Sequence, residues 1–214
     1  MQHSRVVHLA GSALTCSCHA CAFFHSREEE ERVLLPFLKE GMQAGDRFFH
    51  VLRNDYQPAR RRSLEDNGID LTMAERTGQV ELRPWEEAYL RGNRFDQDAM
   101  LDLIQQVLSD GKQQGYGLTR LWANMEWALE DLPGVHDIVE YETRLNHVLP
   151  KYDDVVVCTY DISKFSAAVV MDILRTHPEV IIGETLQKNP FYVGPDTFLE
   201  ELRGRSQAPP GEAS

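Results

Sequence analysis

Asp154-Val155-Val156-Val157-Cys158-Thr159-Tyr160 is a nearly continuous run of β-branched and aromatic residues. A strand with one face in water alternates polar and apolar residues, whereas a strand covered on both faces does not. The segment therefore predicts a central strand in a mostly parallel sheet. Working outward from it, strand-type runs and helical periods take turns along the chain. His19 to Phe24 is a short apolar strand run, and Arg27 to Glu40 follows with Val33, Leu34, Phe37 and Leu38 on one helical face and Gly41 as its stop. Pro36 lies inside that helix, removes a backbone donor and predicts a kink or a break. A strand at Asp46 to Arg53, a helix at Gln57 to Asn67 and a strand at Gln79 to Arg83 come next. The clearest helical period is Met100, Leu101, Ile104, Val107 and Leu108 within Asp96 to Gln113. Leu118 to Trp127 predicts a fourth strand, and Ile138, Tyr141, Leu145, Val148 and Leu149 line a helix that stops at Pro150. A helix from Ile162 to Thr176, a strand near Val180 to Ile182 and a short helix at Thr197 to Arg203 complete the pattern. Alternation of this kind implies an α/β fold of three layers, with helices on both faces of a mostly parallel central sheet.

The 214 residues are 42% hydrophobic, enough for one sizeable core. Lys and Arg number 22 against 34 Asp and Glu, a formal charge of -12, so no uniform basic surface exists to neutralise phosphates and direct nucleic-acid binding is not expected. The basic run Arg60-Arg61-Arg62 is followed at once by Glu65 and Asp66 and reads as a solvated helix face. No window approaches the roughly 18 consecutive apolar residues of a membrane span. The apolar stretch before Cys16 is interrupted by His8 and makes a poor secretion signal, so a cytoplasmic location is expected. Composition divides the chain into an N-terminal extension over residues 1–16, a globular domain over 17–203 and a disordered tail over 204–214.

Ligands of parallel α/β sheets bind beyond the carboxyl ends of strands, which directs attention to the strand-to-helix turns. The first reads Phe24-His25-Ser26-Arg27-Glu28-Glu29-Glu30-Glu31. A phosphate loop needs glycines and a lysine there; four carboxylates would repel a nucleotide and are accounted for by a capped, solvated helix start behind Ser26. The densest set of potential ligands is Cys16, Cys18, His19, Cys21 and His25, in which Cys18 and Cys21 form a CxxC pair around His19. Cys18, His19 and Cys21 could hold a soft metal, and with Cys16 they could cycle between thiols and disulfide. Cys158, inside its hydrophobic strand, reads as a small core residue. Phe24, His25, Glu126, Trp127 and Tyr160 fall near strand ends and could line a partly aromatic pocket. Glu142 and Asn146 lie one helical turn apart, where a structural hydrogen bond is the default, and His177-Pro178 reads as a helix stop. No Ser/His/Asp set, HExxH pair or dinucleotide fingerprint occurs, so catalysis is not expected.

The run His19-Ala20-Cys21-Ala22-Phe23-Phe24, then Leu35-Pro36-Phe37-Leu38-Lys39-Glu40-Gly41 and Asp46-Arg47-Phe48-Phe49, resembles the start of the MEDS domain, the methanogen/methylotroph sensory domain. Asn124-Met125-Glu126-Trp127, Tyr141-Glu142-Thr143-Arg144-Leu145-Asn146, Cys158-Thr159-Tyr160-Asp161, Thr176-His177-Pro178 and Asn189-Pro190-Phe191-Tyr192 follow in the same order as in that family. The resemblance implies a derived RecA-like or circadian-clock-ATPase-like fold that has lost its nucleotide loop. It also implies a non-catalytic sensory role toward a small organic ligand such as a one-carbon or hydrocarbon derivative. His19 and Cys21 then occupy the family's His-x-Cys motif, and Glu126, Glu142, Asn146 and His177 fall on its other polar positions as ligand-site candidates. The family's helix-turn-helix and histidine-kinase partners are not recognisable in the sequence, so output is expected through a separate signalling protein, a kinase or a transcription- or sigma-factor regulator. No cofactor is named by the sequence. The alternative expectation is a thiol- or metal-based redox sensor built on Cys16, Cys18, His19 and Cys21.

Overall fold

The computed structural model describes residues 6–14 and 17–207. Nine strands and seven α-helices occur among them, in the order β1 (Val7–Leu9), β2 (Ser12–Leu14), β3 (Cys18–Phe24), α1 (Arg27–Gln43), β4 (Arg47–Leu52), α2 (Gln57–Asp66), α3 (Leu71–Arg76), β5 (Val80–Pro84), α4 (Gln97–Gln113), β6 (Thr119–Asn124), α5 (Ile138–Val148), β7 (Val155–Asp161), α6 (Ala167–Thr176), β8 (Glu179–Ile182), β9 (Thr185–Lys188) and α7 (Pro195–Gln207). Seven strands form one sheet in the order β5-β4-β6-β7-β3-β8-β9, parallel throughout except for the terminal β8–β9 hairpin. β7, the Val155 to Asp161 run, is the middle strand, flanked by β6 and β3 and buried along its valines.

Alternation along the strands divides the core in two. Cys18, Ala20, Ala22 and Phe24 of β3, with Val155 and Val157 of β7 and Trp122 of β6, face α1 to α3. Cys21 and Phe23, with Val156, Cys158 and Tyr160, face α4 to α6. The sheet between these helical layers is the three-layer arrangement expected from the sequence. No helix among the described residues is long and apolar enough to cross a membrane.

Several sequence expectations are corrected. α1 runs through both Pro36 and Gly41 to Gln43. Pro36 is on the solvent side, where water can take the carbonyl its missing N–H leaves open. Gly41, inside the helix, makes room for the buried Arg120 that lies across it: a Cβ there would sit 2.3 Å from Arg120 Nε. Arg120 donates to Asp46 Oδ2 at 2.8 Å, to the Phe37 carbonyl at 2.5 Å and to Glu40 Oε1 at 3.2 Å. The strand expected to reach Trp127 ends at Asn124, and Met125 to Leu129 form a 3-10 turn. α6 begins only at Ala167, capped by Ser166. β9, α3 and the β1–β2 hairpin had no clear periodic signal. The hairpin turns at Ala10-Gly11, both at positive φ, and places Val7 and Leu9 in the core beside α1. α7 extends to Gln207, so residues 204–207 are helical rather than part of a tail; residues 208–214 lie outside the described residues.

Candidate functional site

Polar residues on the α4–α6 face of the sheet converge on one buried centre. α5 buries Ile138, Tyr141 and Leu145, and Glu142 lies on that same apolar stripe, so its carboxylate is carried into the core with them. It meets His19 from β3, Cys158 and Tyr160 from β7, and His177 from the junction of α6 and β8. His19 Nε2 and His177 Nε2 each lie 3.3 Å from Glu142 Oε2. Cys158 Sγ lies 3.6 Å from the same oxygen and 3.9 Å from His19 Nε2. Tyr160 donates its hydroxyl hydrogen to Glu142 Oε1 at 3.2 Å, which occupies the other oxygen. Glu142 and His177 are 0% exposed.

The outer hydrogen bonds fix both imidazole tautomers. Asn146 Nδ2 donates to the carbonyls of Glu142, Thr143 and Thr176, the last at 2.7 Å, so Asn146 Oδ1 accepts from His19 Nδ1–H at 3.0 Å. The Thr176 hydroxyl donates to the Ile173 carbonyl, which also accepts from His177 Nδ1–H at 3.0 Å. With hydrogens on both Nδ1 atoms, both Nε2 lone pairs are aimed at the carboxylate. Burial opposes ionisation of Glu142, but its two histidine neighbours, His177 and His19, outweigh burial and bring its pKa to about 2. Burial and the neighbouring His19 push the His177 pKa down, with Glu142 opposing them. Burial, and then the charge of Glu142, push the Cys158 thiol well up.

The expected site residues are thus brought together only in part. His19, Glu142, Asn146, Tyr160 and His177 meet here. Cys21 shares the face but turns its thiol to the Glu179 carbonyl at 3.8 Å. Cys18 and Phe24 point to the opposite face, since residues an odd number apart on a strand diverge. Cys18 and Cys21 therefore do not form a CxxC ligand pair, and the expected Cys18, His19, Cys21 metal set is corrected to His19 alone. Cys16 lies outside the described residues. His25 is exposed at the carboxyl edge. Glu126 is also there, paired with Lys164 at 2.9 Å. Trp127 is a core aromatic stacked on Tyr89. His177 is a buried member of the centre rather than a simple turn residue. Glu142 and Asn146 share only a backbone–side-chain bond, because each side chain turns to a histidine. Cys158 belongs to the centre although the sequence assigned it to the core. Its signal was the two-residue spacing from Tyr160, which puts both on one face of the strand.

A second buried polar centre, on the α1–α3 face, escaped the sequence reading. Glu30, within the acidic turn, is directed inward and its Oε1 accepts from Trp122 Nε1 and Asn124 Nδ2 at 2.7 Å and from Thr159 Oγ1 at 2.8 Å. Burial raises its pKa while Arg60 and those donors oppose the rise. Arg60 lies over the Trp122 ring at 4.1 Å and bonds Glu31, and His50 stacks on Trp122. The expected solvated basic face is therefore partly buried at Arg60.

Comparison with known proteins gives three findings. A family model described as "MEDS: MEthanogen/methylotroph, DcmR Sensory domain" matches residues 18–178. A protein named transcriptional repressor DcmR, from Methylorubrum extorquens, is 27% identical over 175 residues, 80% of this chain and 62% of the relative, so the chain spans about three fifths of that protein's length. The crystal structure of a KaiC-like protein from Pyrococcus horikoshii superposes with a TM-score of 0.55 at 18% identity, covering 77% of this chain and 70% of that one. The last finding concerns the fold alone. Nucleotide-binding members of such folds cradle phosphate at a glycine-rich turn. Here that turn is acidic, and Glu30 already takes donors at the ends of β6 and β7, so these residues do not fit a nucleotide phosphate.

Proposed function

This chain belongs to the MEDS family of methanogen/methylotroph DcmR sensory domains, and from that membership we propose that it is a non-catalytic, cytoplasmic sensory module of a transcription-regulatory system. Its ligand is small, of the class of one-carbon compounds and short hydrocarbon derivatives. Its output passes to a separate kinase or transcription- or sigma-factor regulator. A formal charge of -12 makes the partner rather than this module the DNA-binding component.

The observation that carries this reading is the closed centre of His19, Glu142, Cys158 and His177. His19 is anchored in the sheet, Glu142 in α5, and His177 at the α6–β8 junction. A change in what the centre holds therefore acts on the seam between sheet and helices, where a partner can read a shift of α6 or β8. Full burial of Glu142 and His177 also restricts the occupant to a few atoms unless α5 and α6 separate. The redox alternative is disfavoured by the opposed directions of Cys18 and Cys21.

The test is thermal unfolding of the wild type and of His177→Ala against halomethanes, methanol, methylamines and short alkanols. A ligand present at a hundred times its Kd stabilises by about 2.7 kcal/mol. We expect a shift in the wild type that His177→Ala lacks. An equal shift in both would place the ligand elsewhere, and ATP turnover lost on Glu126→Gln would replace the sensor with an enzyme.

A further inference from the structure

We propose that His19 Nε2, His177 Nε2, Glu142 Oε2 and Cys158 Sγ form a tetrahedral site for a divalent transition metal, zinc being the ion that suits them best. This puts the ion at the centre on which the sensory reading rests, where an organic ligand would have to exchange for one of the four protein ligands; the site itself is inferred from those protein ligands alone. Zinc bonds of about 2.0–2.1 Å to N and O and about 2.3 Å to S, at tetrahedral angles, separate the ligand atoms by about 3.3–3.6 Å. Four of the six separations here are 3.3, 3.3, 3.6 and 3.9 Å, and all four atoms lie within 4.8 Å of one another.

The surroundings are those a bound metal requires. Each histidine gives its Nδ1–H to an oxygen, Asn146 Oδ1 in one case and the Ile173 carbonyl in the other, which leaves Nε2 as the donor atom. Tyr160 holds Glu142 Oε1 and leaves Oε2 to bind through one oxygen. His177 Nε2 is buried with no hydrogen-bond partner. Two lone pairs and a carboxylate oxygen facing one another in a buried interior repel unless a proton or a metal ion lies between them, and four converging ligand atoms have the arrangement a metal ion takes.

Charge selects the ion. A divalent metal displaces the Cys158 proton, which leaves as H+, and the thiolate, the carboxylate and the metal then sum to zero around two neutral imidazoles. A neutral complex avoids the cost of burying net charge. Thiolate and imidazole select zinc or a similar borderline ion over magnesium or calcium, which prefer all-oxygen shells. Four protein ligands leave no open position, so the ion would hold structure or report occupancy rather than activate water.

The experiment measures zinc per chain in full-length protein purified without chelator, and the absorption spectrum after cobalt exchange. We expect one equivalent of zinc and a cobalt spectrum with a thiolate charge-transfer band. Cys158→Ser should lose that band and at least tenfold in zinc affinity, while Cys18→Ser keeps both. Should Cys158→Ser unfold, His177→Ala gives the same test of affinity. Wild-type protein that is folded by circular dichroism but holds neither metal after loading overturns the site, as does a charge-transfer band that survives in Cys158→Ser. If the metal binds as described while its removal leaves partner regulation unchanged, the site stands and the sensory reading falls. If no metal binds while a ligand-dependent response persists, the reverse holds.

Discussion

Replacing Glu30 by alanine should cost far more than its place in a run of four glutamates suggests. Its Oε1 accepts from Trp122, Asn124 and Thr159. Asn124 Nδ2 retains Thr159 Oγ1 at 2.8 Å and Thr159 retains the Ala123 carbonyl at 3.3 Å, whereas Trp122 Nε1 has no other acceptor among the described residues. A stranded buried donor costs about 1–3 kcal/mol and each weakened bond about 1 kcal/mol. Arg60 also loses one of two carboxylates, keeping Glu31 at 2.9 Å. Together these give a loss of about 3–5 kcal/mol for Glu30→Ala, against a total stability of about 5–15 kcal/mol for a typical domain. Glu28→Ala, on the solvated side of the same turn, should leave the denaturation midpoint almost unmoved. Because the folded pKa of Glu30 is raised, its contribution is full below the unfolded carboxylate value and declines as pH rises through the folded one. Glu30→Gln keeps the accepting oxygen without the charge, so its stability relative to wild type should rise from acid to neutral pH. Guanidinium unfolding followed by tryptophan fluorescence reads all three variants. Equal midpoints for Glu30→Ala and Glu28→Ala would refute the inward-facing carboxylate.

Gly41→Ala puts a Cβ 2.3 Å from Arg120 Nε and should cost about 1–3 kcal/mol in urea unfolding; an unchanged midpoint would contradict the Arg120 packing. Asp154 has its pKa raised to about 6, chiefly by burial. Its stabilising contribution is therefore full below 3.8 and is lost as pH rises to about 6. Asp154→Asn, which can still accept the Thr119 N–H, should match wild type near about pH 4 and exceed it by up to about 3 kcal/mol near about pH 7.5; a difference independent of pH would count against it. Asn146→Ala frees His19 Nδ1 and should weaken zinc binding by about 10–100-fold without changing its stoichiometry, which competition with a chromophoric chelator can measure.

The fold was largely legible because burial and chain direction leave a periodic trace. The valines of β7 marked a strand covered on both faces, and the alternating helical patterns implied parallel connections. Boundaries failed where a distant side chain intervened: the glycine at 41 makes room for Arg120 rather than ending α1, and the bonds of Asn124 to Glu30 and Thr159 accompany the end of β6. β9 and the β1–β2 hairpin are three- or four-residue strands, too short for a period to register.

The site divides along the same line. Sequence by itself determined the three-layer α/β class and the acidic turn that excludes a phosphate loop, and it put His19 and Tyr160 among the residues worth watching; Glu142, Asn146 and His177, by themselves a structural pair and a helix stop, joined them only through the resemblance to the MEDS domain. Sequence grouped residues by proximity along the chain, which joined Cys18 to Cys21 and left Cys158 in the core. Only the tertiary structure decided the grouping. Alternation sends Cys18 and Cys21 to opposite faces of β3, and parallel pairing lays Cys158 directly beside Cys21. Packing of α5 then delivers Glu142 to two histidines, His19 and His177, that are 158 positions apart in the chain. The physical reason is that hydrophobic periodicity is a local property of a segment, whereas a buried polar centre is closed by residues that meet only when the helices dock on the sheet.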